Sequence, residues 1–108
     1  LIEADHSAIG TRYARDVVAG RVLACKWVRK ACARHITDLD RQMTPGFPYR
    51  FDATKGGKIC RFIERLRHIK GPKAGELISL EPWQCWILTS GWGWLHHGGP
   101  RKDKRRFR

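Results

Sequence analysis

The residues best suited to chemistry stand in Leu80-Glu81-Pro82-Trp83-Gln84, where a proline opens a helical run and an amide follows at once. A side-chain amide presents a donor beside an acceptor, so Gln84 can pair in bidentate fashion with the N6 and N7 edge of adenine. Held rigid at a helix start just after a strand, it would select an adenine nucleotide over others. The same position has a second reading. With Glu81 as N-cap, Gln84 stands at N3 and can instead satisfy a backbone N–H there. The residue types alone allow both.

The aromatic run that follows offers a different chemistry. Trp83, Trp86, Trp92 and Trp94, interleaved with basic residues, can form a platform for stacking unpaired bases. Helical spacing assigns Trp83 and Trp86 to a core instead, while Trp92 and Trp94 alternate around glycines and fit either use. Cys25, Cys32 and His35 fall along one helix, but without C-x-x-C or H-x-x-x-H spacing they read as small hydrophobes beside one hydrogen-bonded core histidine, not as a metal site. His96-His97 could open a His-Asn-His nuclease motif, yet the sequence holds no Asn at all. It also lacks a Gly-x-x-x-x-Gly-Lys-Ser/Thr run and any Ser/His/Asp ordering. No complete active site, and so no catalytic residue, is read from it.

Charge is the strongest compositional signal. Of a net +12, residues 101–108 carry +5 and the other 100 residues carry +7, so the excess is distributed. Distributed Lys and Arg suit a polyanion, because neutralising phosphates releases counterions. A solvated basic face that merely keeps the chain in solution is the plainer alternative. The 42% hydrophobic content supports one modest core, and no segment reaches membrane-spanning length. The first ten residues contain Glu3, Asp5 and His6 and do not read as a signal peptide. Four cysteines inside apolar-periodic segments predict reduced, buried thiols in a cytosolic protein.

These groups need elements to hold them. Ile9, Tyr13 and Val17 predict a short first helix closed by Gly20. A longer one is expected over residues 21–42, with Ala24, Trp27, Val28, Ala31, Cys32, His35 and Leu39 on its apolar face. Thr44-Pro45-Gly46-Phe47-Pro48 breaks the chain. Asp52 can cap a third helix with the stripe Ile59, Phe62, Ile63, Leu66, whose first turn Gly56-Gly57 weakens. Residues 77–80 read as a short strand, Pro82 suits the first turn of a fourth helix with Trp83, Trp86 and Ile87 on one face, and residues 105–108 read as another strand opening. The expectation is a mainly α fold with a short β element, one module over residues 1–108.

Several stretches in order resemble one family, the terminase large subunits of tailed bacteriophages and prophages in the lambda-like HK class. Tyr13-Ala14-Arg15-Asp16-Val17-Val18-Ala19-Gly20-Arg21 is similar to the family's opening segment. Ala31-Cys32-Ala33-Arg34-His35, Tyr49-Arg50-Phe51-Asp52, Phe62-Ile63-Glu64, Lys70-Gly71, Leu80-Glu81-Pro82-Trp83-Gln84 and Gly91-Trp92 continue it. Arg105-Arg106-Phe107-Arg108 is similar to the strand that in the family leads into an Arg-Lys-Asn-Gly-Lys-Ser phosphate loop.

The resemblance implies the helical N-terminal portion of an α/β P-loop-type ATPase domain, truncated before that loop, with residues 101–108 as the basic segment leading to it. The parent would be an ATP- and Mg²⁺-dependent DNA-packaging motor with an endonuclease, acting in virion assembly in the bacterial cytoplasm. Its partners would be double-stranded viral DNA, the terminase small subunit, the portal protein and other large-subunit copies, with no membrane. The fragment alone is expected to bind neither ATP nor Mg²⁺ appreciably. Gln84 takes the family's adenine contact, with Trp83, Tyr49 and Arg50 on the nucleotide side. Arg101, Lys102, Lys104, Arg105 and Arg106 are the DNA-binding candidates. An arginine supplied in trans would stabilise charge developing on the transferred phosphate. Two other readings stand beside this one: a free-standing basic nucleic-acid-binding module with Trp92 and Trp94 as stacking groups, and a docking domain whose exposed aromatics meet a protein partner.

Overall fold

Helix α1 (His6–Val18) starts where Asp5 caps it, its carboxylate accepting from Ala8 N at 3.0 Å. It ends in a Schellman turn. Gly20, at φ +83°, donates to Val17 O, and Arg21 N donates to Asp16 O at 2.8 Å. That turn delays α2, which runs Lys26–Arg41 rather than from residue 21, with Cys25 extended at its N-cap. The computed structural model describes residues 5–107. Residues 1–4 and Arg108, the last residue of the expected closing strand, lie outside the described residues.

The remaining elements are β1 (Tyr49–Phe51), α3 (Ala53–Glu64), α4 (Pro82–Gly93) and β2 (Trp94–His96). The fold is mainly helical, with one two-stranded antiparallel sheet among the described residues. Tyr49 pairs with His96, Arg50 with Leu95 and Phe51 with Trp94. Residues 77–80 form no strand; Leu77 makes one isolated bridge to Arg67. Among the described residues, residue 105 likewise bridges only Leu95, so the described part of the expected closing strand forms a single rung on the free side of β2.

Small residues let three helices meet at close range. A Cβ on Gly10 would lie 2.8 Å from the Cα of Trp86, and one on Gly56 would lie 3.0 Å from the carbonyl of Thr89. This explains why α3 begins at Ala53 despite Gly56-Gly57. The propensity loss, about 1 kcal/mol per glycine, is offset by a backbone approach that no side chain would permit. Ala14, Val17, Cys32 and Trp86 form the core between α1, α2 and α4. Ser7 Oγ ties α1 to the start of α3 by donating to Ala53 O at 2.6 Å.

The same glycine contact turns α3 over. Gly56, Gly57 and Cys60 are the buried residues of that helix, while Phe62 and Leu66 of the expected core stripe stand 59% and 45% exposed. On α2 the expected inner residue Trp27 is 70% exposed, with the ammonium groups of Lys26 and Lys30 each 5.2 Å from its ring. On α4, Cys85, Trp86 and Thr89 face inward and Trp83 and Ile87 outward. Three cysteines are buried and Cys25 is exposed. No helix among the described residues is long and apolar enough to cross a membrane.

Candidate functional site

The first turn of α4 places Gln84 as the capping-box reading requires. Pro82 occupies N1 and Glu81 is the N-cap, and Glu81 N donates to Gln84 Oε1 at 2.8 Å. This hydrogen bond does not exhaust the amide. A carbonyl oxygen has two lone pairs, and the Nε2 donors find no protein acceptor among the described residues. What the cap does is hold the amide in one rotamer. One residue earlier, half-exposed Trp83 lines a cleft of about 420 Å³ with Ile9, Tyr13, Val22 and Pro82 and with Arg12 and Asp16; Gln84 is not in its lining. Asp16 is committed to Arg21, whose Nη2 lies 2.8 Å from its carboxylate. Burial, helped by the nearby Cys32 and Cys25, pushes the Tyr13 phenol above its ordinary pKa, so it stays a neutral wall of that cleft.

Tyr49 and Arg50 do not join Gln84 and Trp83. They sit on β1 opposite His96 and Leu95, beyond the C-terminal end of α4, a helix of 12 residues and hence about 18 Å long. Arg50 donates to Asp103 at 2.7 Å and lies 3.6 Å from Asp52. The Asp103 hydrogen bond raises the pKa of Arg50 and lowers that of Asp103. The Tyr49 ring packs edge-on against His96 at 5.0 Å and Phe47 at 5.6 Å.

The basic segment divides by the same alternation that governs any extended stretch. Arg106 turns inward. Its guanidinium lies 4.3 Å from the Tyr49 ring, with Trp94 and Phe107 also around it, and Nη1 donates to Asp38 at 2.8 Å. At 17% exposure for Arg106 and 5% for Asp38, this pair is a strut between α2 and the chain's last described residues. Arg105 turns outward and covers Trp92 at 5.2 Å. Lys102 and Lys104 are exposed, and Arg101 Nε approaches His96 Nε2 at 3.4 Å.

No family model matches this chain, and no curated protein or solved structure matches it.

Two arrangements were not legible in the sequence. One is the buried junction in which Trp94 Nε1 donates to His35 Nδ1 at 3.0 Å, so that the His35 proton sits on Nε2 and is shared with Thr11 Oγ1 at 3.2 Å. Burial holds the pKa of His35 down to about 4 against the opposing pull of Asp38. The other is the outward face of α3, where Lys55 and Lys58 stand beside Phe62 and Trp92. Its only sequence signal was an apolar stripe that fits a core equally well. Among the described residues no group of three His, Cys, Asp or Glu side chains converges as a metal site would require.

Proposed function

We propose that this chain is the N-terminal, mostly helical part of the ATPase domain of a phage or prophage terminase large subunit, and that it supplies the adenine side of a nucleotide site. One observation supports the reading above the others. Gln84 is fixed at the N-terminus of α4 by its own cap, with Nε2 and one Oε1 lone pair still available. Those two atoms match the acceptor at adenine N7 and the donor at N6. Trp83, the preceding residue, lines an apolar cleft with Ile9, Tyr13 and Val22.

In such a motor ATP hydrolysis supplies the force for moving double-stranded DNA. This chain's contribution is recognition and positioning of the base, since its 108 residues contain no phosphate-loop run. Gln84 and Trp83 are the base-side residues. Tyr49 and Arg50, a helix length away, belong to a different surface, one open to a neighbouring subunit or to the terminase small subunit and the portal protein. The bacterial cytoplasm is the compartment this reading requires. It takes three thiols as buried and reduced. The separate module reading loses one of its stacking groups, because Trp94 is 1% exposed.

Reading the native gene through about forty codons past Arg108 tests the proposal. A run of the Arg-Lys-x-Gly-Lys-Ser type following the basic segment is the expected result. A stop codon, or a continuation with no phosphate-loop run, would overturn it.

A further inference from the structure

The turning-over of α3 creates a groove that the adenine reading does not use. It has a volume of about 490 Å³ and lies between α3, the end of α4 and residues 103–105. Ile59, Phe62 and Trp92 give it an apolar, largely aromatic floor, with Phe62 59% and Trp92 41% exposed. Lys55, Lys58 and Arg105 stand along its edges. The acid in its lining, Asp103, is bound to Arg50 at 2.7 Å and so leaves the rim positive.

We infer that this groove binds unpaired nucleic acid, a base taking the place of the Arg105 guanidinium over Trp92 beside Phe62, with the flanking phosphates on Lys55, Lys58 and the displaced Arg105. The charge pattern requires an anion, and the floor requires that the anion carry a flat apolar face. A single strand has both, repeated along its length. A duplex has the phosphates but keeps its base faces stacked inside. An acidic peptide has the charge without the planar groups that an exposed Trp under a guanidinium recognises best. Lys55 and Lys58 are three residues apart on one helix, so they lie side by side along the same edge. The inference does not depend on Gln84 or on the terminase reading.

The test is binding of a labelled oligothymidylate to the full chain by fluorescence anisotropy at about 50 mM salt and upward. The same measurement is made with a blunt duplex and with polyglutamate as competitor. The single strand should bind more tightly than the duplex at equal phosphate concentration. Trp92→Ala should weaken it about 5- to 150-fold, the range of one lost stacking contact, and leave the salt slope unchanged. Lys55→Ala with Lys58→Ala should reduce that slope by about 1.4. Trp92→Phe, which keeps a flat ring, should retain binding, and Phe62→Ala should reduce it. The last two variants decide the matter if circular dichroism shows that Trp92→Ala unfolds. Equal binding of duplex and single strand with no effect of either aromatic substitution would reduce the groove to plain electrostatics and overturn the inference. Displacement by polyglutamate as effective as by unlabelled strand would assign it to an acidic peptide instead.

Discussion

The indole N–H of Trp94 donates to Nδ1 of His35 at 3.0 Å, joining β2 to α2 across 59 residues of chain. The two rings meet edge-on, and His35 makes a second edge contact with Phe51. This junction keeps His35 neutral, with its remaining proton on Nε2 directed to Thr11.

Stability should therefore fall as acid is added. The native pKa of His35 is depressed to about 4, while an unfolded histidine titrates near its ordinary value of 6.5. Below 6.5 the unfolded chain takes up a proton that the folded chain refuses, so the stabilisation present above that pH is lost as pH falls towards 4. The loss is about 3 kcal/mol at most. Arg15 and Arg34 act with burial and Asp38 against it. Urea unfolding at several pH values between 7.5 and 4.5 should show the midpoint falling in that window. His35→Gln, which cannot titrate, should flatten the curve.

Arg106 should act on stability before it acts on any ligand. Removing Asp38 leaves a guanidinium held among aromatic rings without its counter-charge. Asp38→Ala should cost about 3 kcal/mol, the lower end for a broken buried pair because Arg106 keeps some solvent contact. Adding Arg106→Leu should recover part of that loss. Chemical denaturation of the three variants checks the order.

Two glycines separate packing from propensity. Alanine favours a helix over glycine by up to about 1 kcal/mol, and Gly91 on α4 has open space where a Cβ would go. Gly91→Ala should raise stability by that amount. Gly10→Ala should lower it by about 1–3 kcal/mol, because the new methyl meets Thr89 and the Trp86 backbone under 3.0 Å. Thermal melts of the pair should move in opposite directions.

Thiol reactivity should also be uneven. Cys25 is exposed at the N-cap of α2, where the backbone N–H groups of Val28 and Trp27 in the helix's first turn pull its pKa below the ordinary value, although no side-chain hydrogen bond caps the helix there. Burial pushes Cys32 up to about 11 and Cys60 up to about 12, and raises Cys85 as well. One thiol should react promptly with a disulfide reagent in the folded protein, with the other three reacting only after denaturation. Cys25→Ser should remove the fast phase.

Which parts of this fold the sequence disclosed follows from the range of the interactions. Caps and breakers act within a few residues, and Asp52, Gly20, Pro82 and the Glu81–Gln84 cap all stand where local chemistry predicts. Orientation of a helix is decided by its partners. The stripe Ile59, Phe62, Ile63, Leu66 has the period of a buried face, but Gly56 allows an approach to Thr89 that the stripe cannot match, so Ile59 and Ile63 are only partly buried and Phe62 and Leu66 are left exposed. The inward turn of Arg106 needed Asp38, 68 residues away, and no local pattern reveals such a partner. For the same reason Tyr49 and Arg50 could be named as nucleotide-side residues while lying a full helix from Gln84.

The central claim is that Gln84 reads adenine, and steady-state ATPase kinetics of the full-length protein test it most directly. Gln84→Ala should raise the KM for ATP about tenfold, the effect of losing a bidentate base contact, while kcat and the KM for GTP stay within about twofold. An unchanged KM for ATP, equal changes for both nucleotides, or no ATPase activity in the full-length protein would contradict it.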